Sequence, residues 1–363
     1  MSDSAHPRIG ALDSLRGLAA FAVLSEHCLG SMGEFGAPIT SWLKFTPLRL
    51  LFMEGRGAVI LFFVLSGYVL ALPFLRGEGP SYPQFLAKRF CRIYLPYVAA
   101  MLLSLGLSVF LAPRPIPGLG IAFNKVWSET PNLDLILSNL AMLGTPRSVS
   151  FVPPGWTLVY ELRISLIIPL LVWCVRRTSV GVMLAAVFLF WMCHRAGRYF
   201  GLGYFECGNN FLDSFIITGY FVLFFVLGIL GAKHSGHIAS FVAAVPRRAL
   251  LFVAVAIFWG FIAHSDIAKG ASAIALIGFA NRIGRPLVQP ALIWLGRISY
   301  SLYIVHALIQ VVVVHVLYPS VPLLLAVGSV IPVSLCAAAL FHYWVEAPSL
   351  ALSRRIGESA RSA

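Results

Sequence analysis

IGALDSLRGLAAFAVLSEHCLG, residues Ile9 to Gly30, is an apolar run that carries Arg16 and His27 where a bilayer core would lie. An ionisable side chain at membrane depth costs several kcal/mol, so it rarely sits there without a partner or a task. Eleven residues separate the two. At about 100° per residue that is about 1100°, roughly 20° past three full turns. Both side chains therefore leave one face of one helix, roughly 16 Å apart along its axis. A cation near one end and a titratable imidazole near the other point to a polar path across a membrane.

Composition fixes the class. The 363 residues are 59% hydrophobic and 11% charged, with a mean hydropathy of +0.86, where a soluble domain carries about 25% charged residues. The chain reads as all-α, a polytopic integral membrane protein. Its net charge of +13 fits cationic loops facing anionic lipid better than it fits nucleic acid, which is not expected as a partner. No removable signal peptide is expected, because Arg16 lies inside the first apolar segment. The six cysteines (Cys28, Cys91, Cys174, Cys193, Cys207 and Cys336) form no CxxC pair, and whether Cys193 and Cys207 meet on the outer face is left open.

About ten spans are expected, near 10–30, 56–75, 95–112, 153–175, 179–194, 213–232, 248–264, 270–281, 290–316 and 321–345. The apolar piece Leu133–Leu143 is too short to span and reads as re-entrant or interfacial. With the N terminus in the cytoplasm, Arg76, Lys88, Arg89, Arg92, Arg176, Arg177, Lys233, Arg247 and Arg248 gather on the inner side. The outer side holds a thinner scatter that includes Lys44, Arg114 and Arg147. This is the positive-inside pattern, with both termini cytoplasmic and an even number of spans. No internal repeat or composition break divides the chain. One transmembrane domain is expected over residues 1–350, followed by a short basic tail over 351–363.

Other polar residues cluster by helix. Asp13, three residues before Arg16, is placed to pair with it. Lys88, Arg89 and Arg92 recur at helical spacing beside aromatic residues. They form either an interfacial helix on anionic lipid or a phosphate clamp. Ser66 lacks a nucleophile elbow and reads as a packing residue. Glu161 sits one to two turns below Trp156 and needs a partner, with Arg163 and His27 as candidates. Ser299, Tyr303, His306 and Gln310 fall within about 60° of one another on the ninth span, a stripe that is either interhelical glue or a cavity lining. Glu346 is expected to pair with a basic loop.

Taken in order, LDSLRGLAAFAVLSEH, FFVLSGYVL, AKRFCRIYLPY, GWTLVYELRISL, ISYSLYIVH and YWVEAP resemble the membrane-bound acyltransferase 3 family, which includes bacterial surface-polysaccharide O-acetyltransferases. The likeness runs from about Ile9 to Pro348. Single blocks are weak signals; the ordered set is specific. The resemblance implies that Arg16 and His27 are essential, with His27 the catalytic residue. It implies further roles for Ser66, Arg92, Glu161, Tyr303, His306 and Glu346. Ser14 stands where the family commonly has Gly, and EAP replaces the usual ErP. Ile60 stands where an acidic residue often precedes the Phe-Phe pair, which weakens any mechanism that needs a carboxylate on the second helix.

The expected function is transfer of an acyl group, acetyl in the first place, from acyl-CoA to a hydroxyl of an envelope glycan or lipid-linked sugar. The setting is the bacterial cytoplasmic (inner) membrane, with no bound cofactor and no metal. Lys88, Arg89 and Arg92, with Tyr303 and His306, are the expected substrate and acyl-CoA contacts. His27 acts as general base or carries the acyl group, and Glu161 orients it. Two rival classes share these residues: a transporter or flippase without chemistry, and an acyltransferase for a small-molecule acceptor such as an antibiotic or lipid. The oligomeric state is left open.

Overall fold

A computed structural model describes residues 7–199 and 207–359. The described chain is all-helical, with no strand. Its principal helices are α1 (Pro7–Ser31), α2 (Gly55–Arg76), α3 (Tyr82–Leu111), α4 (Leu133–Leu140), α5 (Gly155–Leu166), α6 (Ile168–Arg177) and α7 (Val180–Tyr199). They continue with α8 (Phe211–Lys233), α9 (Ser235–Ala244), α10 (Leu250–Ile262), α11 (Asp266–Ile283), α12 (Pro290–Arg297), α13 (Ser299–Leu317) and α14 (Leu323–Ile356).

Five of these, α2, α3, α8, α13 and α14, are long and apolar enough to cross a bilayer unbroken. The count reaches seven if α5–α6, bent by 58°, and the pair ending in α9 and α10, bent by 101°, each form one span. The bends follow from proline. Pro169 opens α6, and a proline disfavours helical geometry in the residue before it. Pro246, in extended conformation, separates α9 from α10.

Besides the span expected over 153–175, which breaks at Ile167 between α5 and α6, two expected boundaries move. The ninth segment is not one helix over 290–316, because it breaks at Ile298 between α12 and α13. The third begins at Tyr82 rather than 95. The basic stretch therefore occupies the first turns of a spanning helix, which passes through a π-turn at Phe90–Tyr94.

Close backbone approach fixes the centre of the bundle. α1 packs on α2, α12 and α13. Where it crosses α12, a Cβ on Gly17 would lie 2.5 Å from the Gly296 nitrogen. Where α2 crosses α8, a Cβ on Gly228 would lie 2.1 Å from the Val64 carbonyl oxygen, and one on Gly67 would lie 2.2 Å from that of Phe225. Small residues let apolar helices approach this closely where no hydrophobic force from water drives them together.

The excursion over 112–154 closes one end of the bundle. Its α4 is capped by the Asn132 side chain, which accepts from the Leu135 N–H. Buried Asn139 donates to the Leu135 and Arg147 carbonyls, each at 2.8 Å, and accepts from the Phe151 N–H. The Gly120 N–H donates to the Ser31 carbonyl at 2.9 Å, which ties the excursion to the end of α1. The segment expected to be re-entrant or interfacial is thus part of a cap. Cys207 is buried, while the Cys193 side chain lies outside the described residues.

Candidate active site

Four helices, α1, α2, α5 and α13, each contribute side chains to two cavities. α1 and α13 reach the first cavity with earlier residues and the second with later ones. α2 and α5 run the opposite way and reverse that order. Arg16, Ser66, Glu161 and Ser299 line the first cavity, and His27, Arg56, Trp156 and Gln310 line the second. The two residues of α1 that share a face are thus split between the cavities.

The first, the arginine cavity, has a volume of about 90 Å³. Arg16, Arg89 and Arg92 line it, with Glu161 the one carboxylate in its wall among the described residues. Arg16 is held by Asp13 at 3.0 Å, the partner that the spacing predicts. Arg89 lies over the Phe85 ring at 5.8 Å, and its Nε is buried without a hydrogen-bond partner. Glu161 accepts from the Ser66 hydroxyl at 3.1 Å. Three guanidinium groups against one carboxylate suit a polyanionic ligand, because their planar donors match phosphate oxygens. Lys88 is not in the wall. Its neighbours Arg89 and Arg92 supply the charge expected of all three.

The second, the histidine cavity, has a volume of about 360 Å³ and is lined by His27, Glu26, Arg56 and Gln310. His27 is exposed to it although the residue lies within the bundle. Its Nδ1 is 3.3 Å from Nε2 of His306, a fully buried residue whose Nδ1 is 3.1 Å from the Leu302 carbonyl. A carbonyl only accepts, so Nδ1 of His306 carries the hydrogen. The neutral ring then offers a lone pair at Nε2. That lone pair accepts from Nδ1–H of His27 and leaves Nε2 of His27 unprotonated, the tautomer a proton acceptor needs. Gln310 donates to the His27 carbonyl at 2.8 Å. The stripe on α13 is therefore both glue and cavity lining.

Glu161 does not orient His27. It lies five residues beyond Trp156, about 7.5 Å deeper, and that depth carries it past the wall into the arginine cavity. The other expected partner, Arg163, donates instead to the Leu143 carbonyl and to Ser214, each at 2.9 Å. Glu346 pairs with no basic loop. It accepts from Ser301 at 2.6 Å and contacts His342 at 2.9 Å. Ile60 is fully buried, and α2 brings no carboxylate to either cavity.

Sequence reasoning passed over Glu26, Arg56, Val59 and Thr157. Glu26 carried a signal, an acid beside His27 in an apolar run. Arg56 is held by Asp266 at 3.2 and 2.7 Å, and Asp266 also accepts from the Tyr220 hydroxyl at 2.6 Å.

A helical membrane protein with a cationic cavity backed onto a histidine cavity has the layout of a group-transfer enzyme. The profile of the acyltransferase domain family matches residues 9–343. No curated protein and no solved structure matches the chain. The chain belongs to the acyltransferase 3 family and is a multi-pass membrane O-acyltransferase. The rival class of a transporter without chemistry falls with that membership.

Proposed function

We propose that this enzyme moves an acetyl group from acetyl-CoA in the cytoplasm to a hydroxyl of an envelope glycan or lipid-linked sugar. The observation that carries the reading is the pair of cavities on one face of α1, cationic at Arg16 and basic at His27. Arg16, Arg89 and Arg92 receive the phosphates of the donor, and the acceptor hydroxyl enters the histidine cavity. Nε2 of His27 takes the hydroxyl proton as the oxygen attacks the thioester carbonyl. The C–S bond breaks, and coenzyme A leaves as the thiol with that proton. His306 acts through His27 by fixing its tautomer.

The same reading places residues 1–350 in the bacterial inner membrane as one domain, with the 351–363 tail and both termini cytoplasmic. α1, α7, α10 and α11 join the five unbroken helices and the bent pair α5–α6 to give the ten crossings of this reading. The excess of Lys and Arg at one set of helix ends supports this orientation.

The test uses purified protein in lipid vesicles with radiolabelled acetyl-CoA and an envelope glycan extract. Label should pass to the glycan, and His27→Ala should reduce transfer by about 10²–10⁴, the usual contribution of a general base. Normal transfer by a correctly inserted His27→Ala variant would remove His27 from the mechanism.

A further inference from the structure

Two described residues, Val59 of α2 and Tyr303 of α13, line both cavities. They form the wall that separates the arginines from His27. We infer that Val59, set against a braced Tyr303, limits the length of the acyl group the enzyme transfers. The inference rests on the two-cavity reading of acyl transfer given above.

Tyr303 is held on two sides. Its hydroxyl is 2.8 Å from the Thr157 hydroxyl, whose oxygen is 3.0 Å from the Pro154 carbonyl. Thr157 has one proton, and the carbonyl can only accept. The Thr157 hydroxyl, placed to donate to either oxygen, links the Tyr303 hydroxyl to the Pro154 carbonyl. The Tyr303 ring also meets Phe62 edge-on, with centroids 5.5 Å apart. Val59, 5% exposed, is β-branched and has little χ1 freedom in a helix. The wall is consequently stiff on both sides.

A thioester delivered from the arginine cavity must bring its carbonyl carbon to this wall for an acceptor oxygen beside His27 to reach it. The acyl tail then lies between Val59, Tyr303 and the packed side chains behind them. Acetyl adds one methyl group to the carbonyl. Each further methylene must find room in a region where interior packing leaves little. An apolar wall of this kind discriminates by about 10–200-fold per methylene.

The experiment compares kcat/KM for acetyl-CoA and butyryl-CoA, with affinity for coenzyme A measured separately. Val59→Ala removes two carbons from the wall and should raise the butyryl-to-acetyl ratio at least about tenfold. Val59→Leu should cut acetyl transfer by a similar factor while coenzyme A affinity stays within about twofold. An unchanged ratio in Val59→Ala, with acetyl transfer intact, would overturn the inference. Should Val59→Ala fail to accumulate, Val59→Leu decides. Full acetyl transfer by that variant overturns the inference, and lost transfer with retained coenzyme A binding supports it. Wild-type protein that transfers no acetyl group from acetyl-CoA would instead overturn the proposed function.

Discussion

His27 faces the histidine cavity through one ring nitrogen and depends on His306 for the state of the other. Removing His306 frees the imidazole to rotate and to take either tautomer. His306→Ala should lower kcat by at least about tenfold, toward the 10²–10⁴ that base catalysis supplies. His306→Gln can still accept from Nδ1–H through its amide oxygen and should recover much of that loss. Parallel kcat–pH profiles separate this positioning role from a packing role, which would leave the profile of His306→Ala unshifted. At the other end of α1, Arg92→Gln should raise KM for acetyl-CoA by about 10–100-fold with kcat little changed, the worth of one charge-assisted hydrogen bond. Lys88→Gln should leave KM unchanged, because Lys88 is absent from the cavity wall. The Arg16–His27 face was legible from spacing alone, because both residues share one helix. The partner of His27 was not, because depth along one helix says nothing about which neighbour faces it. Glu161 had suitable chemistry and the wrong side of the wall.

Helix crossings set the positions of these side chains, and glycine marks the tightest one. A methyl group on Gly228 would press on the backbone of Val64, Gly67 and Tyr68, all within 3.0 Å. Backbone cannot swing aside as a flexible side chain does. Gly228→Ala should therefore lower stability by about 1–3 kcal/mol, read as a fall in Tm of the solubilised protein. Gly106, in the interior of α3, has no such neighbour within 4 Å. Gly106→Ala should hold or raise Tm, because alanine is the better helix former by about 0.5–1 kcal/mol. Buried charge locks another contact. Lys269 donates to Glu54 at 2.9 Å and to the Phe261 carbonyl, with both charged side chains under 10% exposed. Glu54→Gln removes the carboxylate that bonds both Lys269 and Arg49 and should cost about 3–5 kcal/mol, the usual penalty for breaking one partner of a buried pair. At this scale the long apolar helices were readable from hydropathy, but the span expected over 153–175 ran straight through Pro169, and the bend there emerged only in the fold. The break at Ile298 was not readable either, since no proline or glycine stands there and the adjoining Gly296 is pressed on the backbone of Asp13.

Across the whole molecule, the antiparallel order of α1 and α13 against α2 and α5 gives each cavity its own end of the bundle. No single segment encodes this, because every one of the four helices serves both cavities and only their packing divides the work. If the arginine cavity opens to the cytoplasm and the histidine cavity to the opposite face, thiols placed in them should differ in sidedness. In a chain whose native cysteines are replaced, Ser66→Cys lies in the arginine cavity and Ala122→Cys in the histidine cavity, on the 112–154 cap. A membrane-impermeant maleimide should label Ala122→Cys in right-side-out vesicles and Ser66→Cys in inverted ones. Coenzyme A should protect Ser66→Cys and leave Ala122→Cys reactive, since the site proposed for the ligand phosphates lies among Arg16, Arg89 and Arg92. Labelling of both thiols from one side would reduce the two cavities to a single vestibule. Val59 and Tyr303 would then be a constriction within it, and donor and acceptor would have to enter by the same door.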